Sequence, residues 1–149
     1  MRIIRLSAIA VLLAFSSSAM AELEPWKDYD ISDSVYQISA IKVKPNMMDT
    51  YLEGIRDTWV AANELAKELG HIEDYAIYSS QLAASGDFNL LLVIKFSETA
   101  DLAPSKERYD AFMAKWSEEQ EERSEQLVQN YPAMREITGA YLMREITMK

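Results

Sequence analysis

The chain has 149 residues, with 24 acidic side chains against 15 basic ones, a net charge of −9 and no cysteine. Such a surface repels nucleic-acid backbones and anionic lipid headgroups, whose binding depends on neutralising phosphate with Lys and Arg. Without thiols there is no disulfide, no thiolate nucleophile and no cysteine metal site.

The first 21 residues carry Arg2 and Arg5, an apolar stretch from Leu6 to Phe15, and small residues at Ala19 and Ala21. This is the three-part layout of a secretory signal. Its apolar stretch is about half the roughly twenty residues that a membrane-spanning helix needs. Residues 1–21 are therefore expected to be a signal peptide cleaved after Ala21, giving a periplasmic or secreted protein with no membrane anchor. Taking 21 from 149 leaves 128 residues, and because the segment holds two basic and no acidic residues, the balance deepens from −9 to −11. That length suits one domain.

Residues 22–34 form a polar leader with Trp26 and Tyr29, expected to lie across the surface of a domain spanning 35–149. A first strand is expected over 35–44, where Val35, Tyr36, Ile38, Ile41 and Val43 give a β-branched and aromatic run that Pro45 ends. Asn46 or Asp49 can cap the following helix, whose Met48, Tyr51, Leu52, Ile55, Trp59, Ala62, Ala66 and Leu69 recur at helical spacing until Gly70. A second strand is expected over 74–84, a glycine turn at Ser85-Gly86-Asp87, and a third strand over 88–96. Pro104 and Ser105 introduce one long second helix with Tyr109, Phe112, Met113, Trp116, Leu127 and Tyr131 as contact residues. Its acidic stretch, Glu118 to Glu125, reads as a solvated face. A fourth strand is expected over 135–148.

The order strand, helix, strand, strand, helix, strand is the split βαβ arrangement of an α+β, ferredoxin-like domain, with a four-stranded antiparallel sheet and two helices on one face. A sheet covered on one face should alternate apolar and polar residues. The first and third strands instead carry apolar residues on both faces, with Tyr36 and Ile38 set against Val35, Ile41 and Val43, and Leu91 and Val93 against Phe88, Leu90, Leu92, Ile94 and Phe96. The second face must also leave water, and a two-fold axis lets one patch cover its own copy. A homodimer through the sheet is the expectation.

In this element order, in the stretch from Tyr51 to Trp59, in Tyr75-Ala-Ile-Tyr-Ser-Ser and in Gly86-Asp-Phe-Asn-Leu-Leu-Leu-Val, the chain resembles the dimeric α/β-barrel superfamily, including uncharacterised exported bacterial members. The resemblance implies a barrel made by two sheets. It does not choose a function, because that group holds stress-responsive barrel proteins, cofactor-free quinol monooxygenases and haem-degrading enzymes. The haem-degrading members carry an essential histidine on the second long helix, where this chain has none.

His71 is the only side chain whose ordinary titration lies near neutral pH, which makes it the one candidate general base, though its place in the turn after Gly70 suits a partly solvated basic residue at a helix end. One histidine without cysteine cannot build a structural zinc site, so no metal and no cofactor is expected. The chain has no Gly-rich phosphate cradle and no Gly-x-Ser-x-Gly elbow. The aromatic residues are the more suggestive set. Tyr51, Trp59, Tyr78 and Trp116, with Arg56 as an orienting cation, could line an apolar small-molecule pocket or simply fill the core. Three functions follow: a barrel binding a small aromatic or amphipathic molecule, a cofactor-independent monooxygenase, or an interaction protein docking a cationic partner on its acidic helix.

Overall fold

Residues 22–82 and 85–149 are described in the computed structural model of the chain; the expected signal peptide, residues 1–21, lies outside the described residues. A short strand β1 (Tyr29–Ile31) precedes β2 (Val35–Val43). The first helical segment runs from α1 (Met48–Ile55) through a π-helical turn (Arg56–Val60) into α2 (Ala61–Glu68). Strands β3 (Asp74–Ser79) and β4 (Leu90–Phe96) follow, then a 3-10 turn (Thr99–Leu102), α3 (Lys106–Met113), α4 (Glu118–Val128), α5 (Tyr131–Met134), β5 (Arg135–Met143) and β6 (Ile146–Met148). Four strands make an antiparallel sheet in the order β3-β4-β2-β5, and β1 pairs with β6 in a second, two-stranded sheet.

Helices from both halves of the chain pack on one face of the four-stranded sheet. The core joins Ile41, Val43, Leu90 and Leu92 to Tyr51 and Ile55 of α1 and to Tyr131 of α5. Cross-strand register places Ile38 opposite both Val93 and Tyr141, Tyr36 opposite Met143, and Leu91 opposite Tyr78. These residues point away from the helices, so the sheet is apolar on both faces, as the two-sided pattern of β2 and β4 requires. Tyr78, Tyr141 and Met143 are 59%, 53% and 52% exposed there.

Several expected boundaries move. Neither Asn46 nor Asp49 caps the first helix: Met47 occupies the N-cap without a side-chain bond, and Asn46 makes the preceding bend with φ +62°. Gly70, by contrast, takes the left-handed conformation expected of it (φ +71°), and the amides of Gly70 and His71 close on the carbonyls of Lys67 and Ala66. The second strand stops at Ser79 and the third starts at Leu90, and Gly86 is not among the positive-φ residues. The reversal is held instead by Lys42, whose ammonium donates to the carbonyls of Ser85 and Gly86, and by Asn89, whose side chain pairs with both backbone groups of Val43.

The long second helix is broken. Ser117 withdraws from it and its hydroxyl caps the amide of Gln120 at 3.1 Å, starting α4 afresh. Within residues 22–34, β1 pairs with β6, and Arg144 donates to the carbonyls of Ser32 and Asp33.

Candidate functional site

The π-helical turn aims two consecutive residues, Thr58 and Trp59, at α4 and α5. Side chains bridge the widened turn: the Thr58 hydroxyl donates to the Gly54 carbonyl at 3.2 Å and the Asn63 amide to the Trp59 carbonyl at 2.7 Å. From the other side, Gln120 of α4 donates to the Asp57 carbonyl at 2.5 Å and Arg123 pairs with the Asp57 carboxylate. Such single-turn π segments are frequent at functional sites. Here it forms one wall of a cavity of about 350 Å³.

That cavity is lined by Tyr51, Ile55, Thr58, Trp59 and Ala62 on the first helical segment, and by Trp116, Ser124, Val128, Tyr131 and Arg135 on the second half of the chain. Its floor is a pair of phenol rings, Tyr51 and Tyr131, packed edge to face at 5.2 Å and only 1% and 5% exposed. The Tyr131 and Thr58 hydroxyls share a hydrogen bond of 2.6 Å. Gly54 lets the phenol approach, since a methyl group there would meet the Tyr131 ring at 3.0 Å. The Arg135 guanidinium lies 6.0 Å from the Tyr51 ring centre and 5.8 Å from that of Tyr131, within cation–π range. Burial raises the pKa of both phenols; for Tyr51 the Arg135 charge partly offsets that rise, and for Tyr131 the bond to Thr58 does so first. Both hydroxyls stay protonated and can donate.

Of the residues expected to form a pocket, Tyr51, Trp59 and Trp116 meet in this cavity. Arg56 does not: its exposed side chain turns to Asp57 at 3.3 Å, at a separate depression. Tyr78 does not either, because its register places it on the far face of the sheet. His71 is partly solvated in the turn after Gly70, beside Ile72, Phe96 and Tyr109, and is not part of the cavity wall. Among the described residues no group of three or more His, Cys, Asp or Glu could hold a metal ion. The cavity residues that sequence reasoning missed are Thr58, Ser124, Val128 and Arg135. For Arg135 a signal existed: along β5 it shares a face with Ile137, and a cation on the inward side of a strand needs a reason.

No protein-family model matches the chain, and no curated protein matches it in sequence. Solved structures do. A NIPSNAP family protein of unknown function from Agrobacterium tumefaciens is 18% identical, with a TM-score of 0.51, over 82% of this chain and 96% of that one. HapK from Hahella chejuensis is 17% identical, with a TM-score of 0.45, over 74% and 91%. A dimeric ferredoxin-like protein of unknown function from Bacteroides fragilis is 10% identical, with a TM-score of 0.42, over 80% and 100%. Strand order, helix placement and the first of these likenesses agree on an α+β, ferredoxin-like fold.

Proposed function

We propose that this is an exported homodimeric barrel protein that binds a small aromatic or amphipathic molecule between its first helical segment and α4. The cavity carries the reading: it is walled by aromatic and aliphatic side chains, with a few polar groups at one end, the make-up of small-molecule sites. Among the described residues its polar lining is Thr58, Ser124, two protonated tyrosines and Arg135, none of them a general base at neutral pH, which favours binding over proton-abstracting catalysis. Export is supported by the signal-like pattern of residues 1–21, and dimerisation by the apolar outer face of the sheet.

Native mass spectrometry of the purified protein tests the reading through co-purified ligand. Ala62→Phe, which fills the cavity from α2, is expected to abolish that adduct while the fold persists. A chain that carries no adduct, and binds no apolar aromatic probe in calorimetry, would overturn the assignment.

A further inference from the structure

Arg135 is an unusual occupant of an apolar cavity. It opens β5 opposite Val43, so its backbone is fixed by the sheet, and its guanidinium is held against the Tyr51 and Tyr131 rings. Among the described residues no carboxylate lies within ion-pair distance of it, although the chain is strongly acidic and nine such pairs form elsewhere. Its Nε is buried and has no hydrogen-bond acceptor. The second buried side-chain atom without a partner is the Ser124 Oγ, which lines the same cavity.

Arg135 is partly buried, and a buried donor atom without an acceptor is expensive. Two such donors line one apolar space, and an acceptor entering it would satisfy both. Stacking on two rings accounts for the orientation of the guanidinium. It leaves the Nε–H without an acceptor, and the edge of a guanidinium matches the geometry of a carboxylate.

Resting on the binding function proposed above, we infer that the ligand is an aromatic or amphipathic carboxylic acid, its carboxylate received by Arg135 and Ser124 and its apolar body lying against Trp59 and Trp116. The Glu-rich outer face of α4 does not forbid this, because charges in solvent are screened over about 8 Å at physiological salt whereas a desolvated contact is not.

Calorimetric titration of the purified protein at neutral pH with 2-naphthoate, and with the uncharged 2-naphthamide of nearly the same shape, tests the assignment. The unaltered protein is expected to bind the acid at least about tenfold more tightly than the amide. Arg135→Gln, and Arg135→Lys if the first fails to fold, is expected to remove most of that preference and leave the amide's affinity nearly unchanged. Equal binding of both probes by the unaltered protein overturns the carboxylate assignment alone and leaves the cavity reading standing. A preference that survives in a folded Arg135 variant overturns it as well. Failure of both probes to bind removes the binding function and the carboxylate with it.

Discussion

Gly54 shows how much of the cavity rests on one absent methyl group. Alanine is the better helix former by up to about 1 kcal/mol, yet its Cβ would press on Tyr131 at 3.0 Å, and overpacking costs about 1–3 kcal/mol. Gly54→Ala is therefore expected to destabilise by about 1 kcal/mol in a urea melt and to displace the phenol from Thr58. Trp59 stands edge-on to Tyr75 at 5.4 Å and also faces the cavity. Trp59→Phe is expected to cost under about 2 kcal/mol and also to weaken binding of an aromatic probe, whereas a purely packing indole would lose stability alone. Tyr75 itself donates to the Glu64 carboxylate at 2.5 Å, and that bond, helped by burial, pushes its pKa up to about 12 from the ordinary 10.0. A raised folded-state value means that the stabilisation is whole below pH 10.0 and disappears as pH climbs to about 12. Tyr75→Phe should flatten the fall in stability across that window, measured by urea melts at a series of alkaline pH values. Tyr51, Trp59 and Trp116 were legible as a set because helical spacing gathers residues on a face. Arg56 was misplaced by a simpler rule, that a cation near aromatics belongs with them; one residue along a helix turns a side chain by about 100°, enough to send it to solvent.

At the level of elements, the strands and helices could be read in their order and their apolar faces because hydrophobic period is a local property. The π-helical turn could not, since its causes lie partly elsewhere: Thr58 and Asn63 bond within the segment, but Gln120 and Arg123 reach the Asp57 backbone and side chain from α4. The break at Ser117 had a local sign that the acidic run concealed, namely a serine followed by Glu118, Glu119 and Glu121 in the first turn, which suits a helix N-terminus as well as it suits a solvated face. Ser117→Ala is expected to cost about 1 kcal/mol of stability through loss of the cap. Because α4 carries Ser124 and Val128 to the cavity, the same change should loosen probe binding more than Ser105→Ala, which removes the equivalent cap of α3, a helix with no residue in the cavity lining. Comparing the two variants in parallel melts and titrations separates a general loss of stability from a loosened cavity wall. The reversal before β4 was misread for a related reason: a glycine between two polar residues is the usual local signal, whereas Lys42 of β2 and the loop's own Asn89, bonded to Val43, tie this loop to the neighbouring strand.

For the whole molecule the decisive quantity is the apolar area left on the outer face of the sheet. Tyr36, Ile38, Leu91 and Val93 form its centre, with Tyr78, Tyr141 and Met143 around them, more than half exposed. Polar groups stand at one edge, where Lys95 pairs with Glu73 at 2.5 Å and lies 5.9 Å from the Tyr36 ring. An apolar centre with a polar border is the anatomy of a subunit interface, and a two-fold axis through Ile38 would set each patch on its copy. Burying even ~400 Å² per subunit contributes on the order of 10 kcal/mol before the costs of association. β6, paired with β1 in the second sheet, also leaves Ile146 and Met148 more than half exposed. Ile38→Lys separates a dimer surface from an idle one. In a lone subunit the ammonium can reach water along the half-open face at little cost, whereas in a paired barrel two unpaired charges would be buried near the axis, at several kcal/mol each. Light scattering at micromolar concentration is expected to give twice the chain mass for the unaltered protein and the single mass for Ile38→Lys, with thermal unfolding of the variant still cooperative. An unaltered protein that runs alone and takes up no hydrophobic dye would mean that the second apolar face is covered from within, and the paired barrel would have to be abandoned.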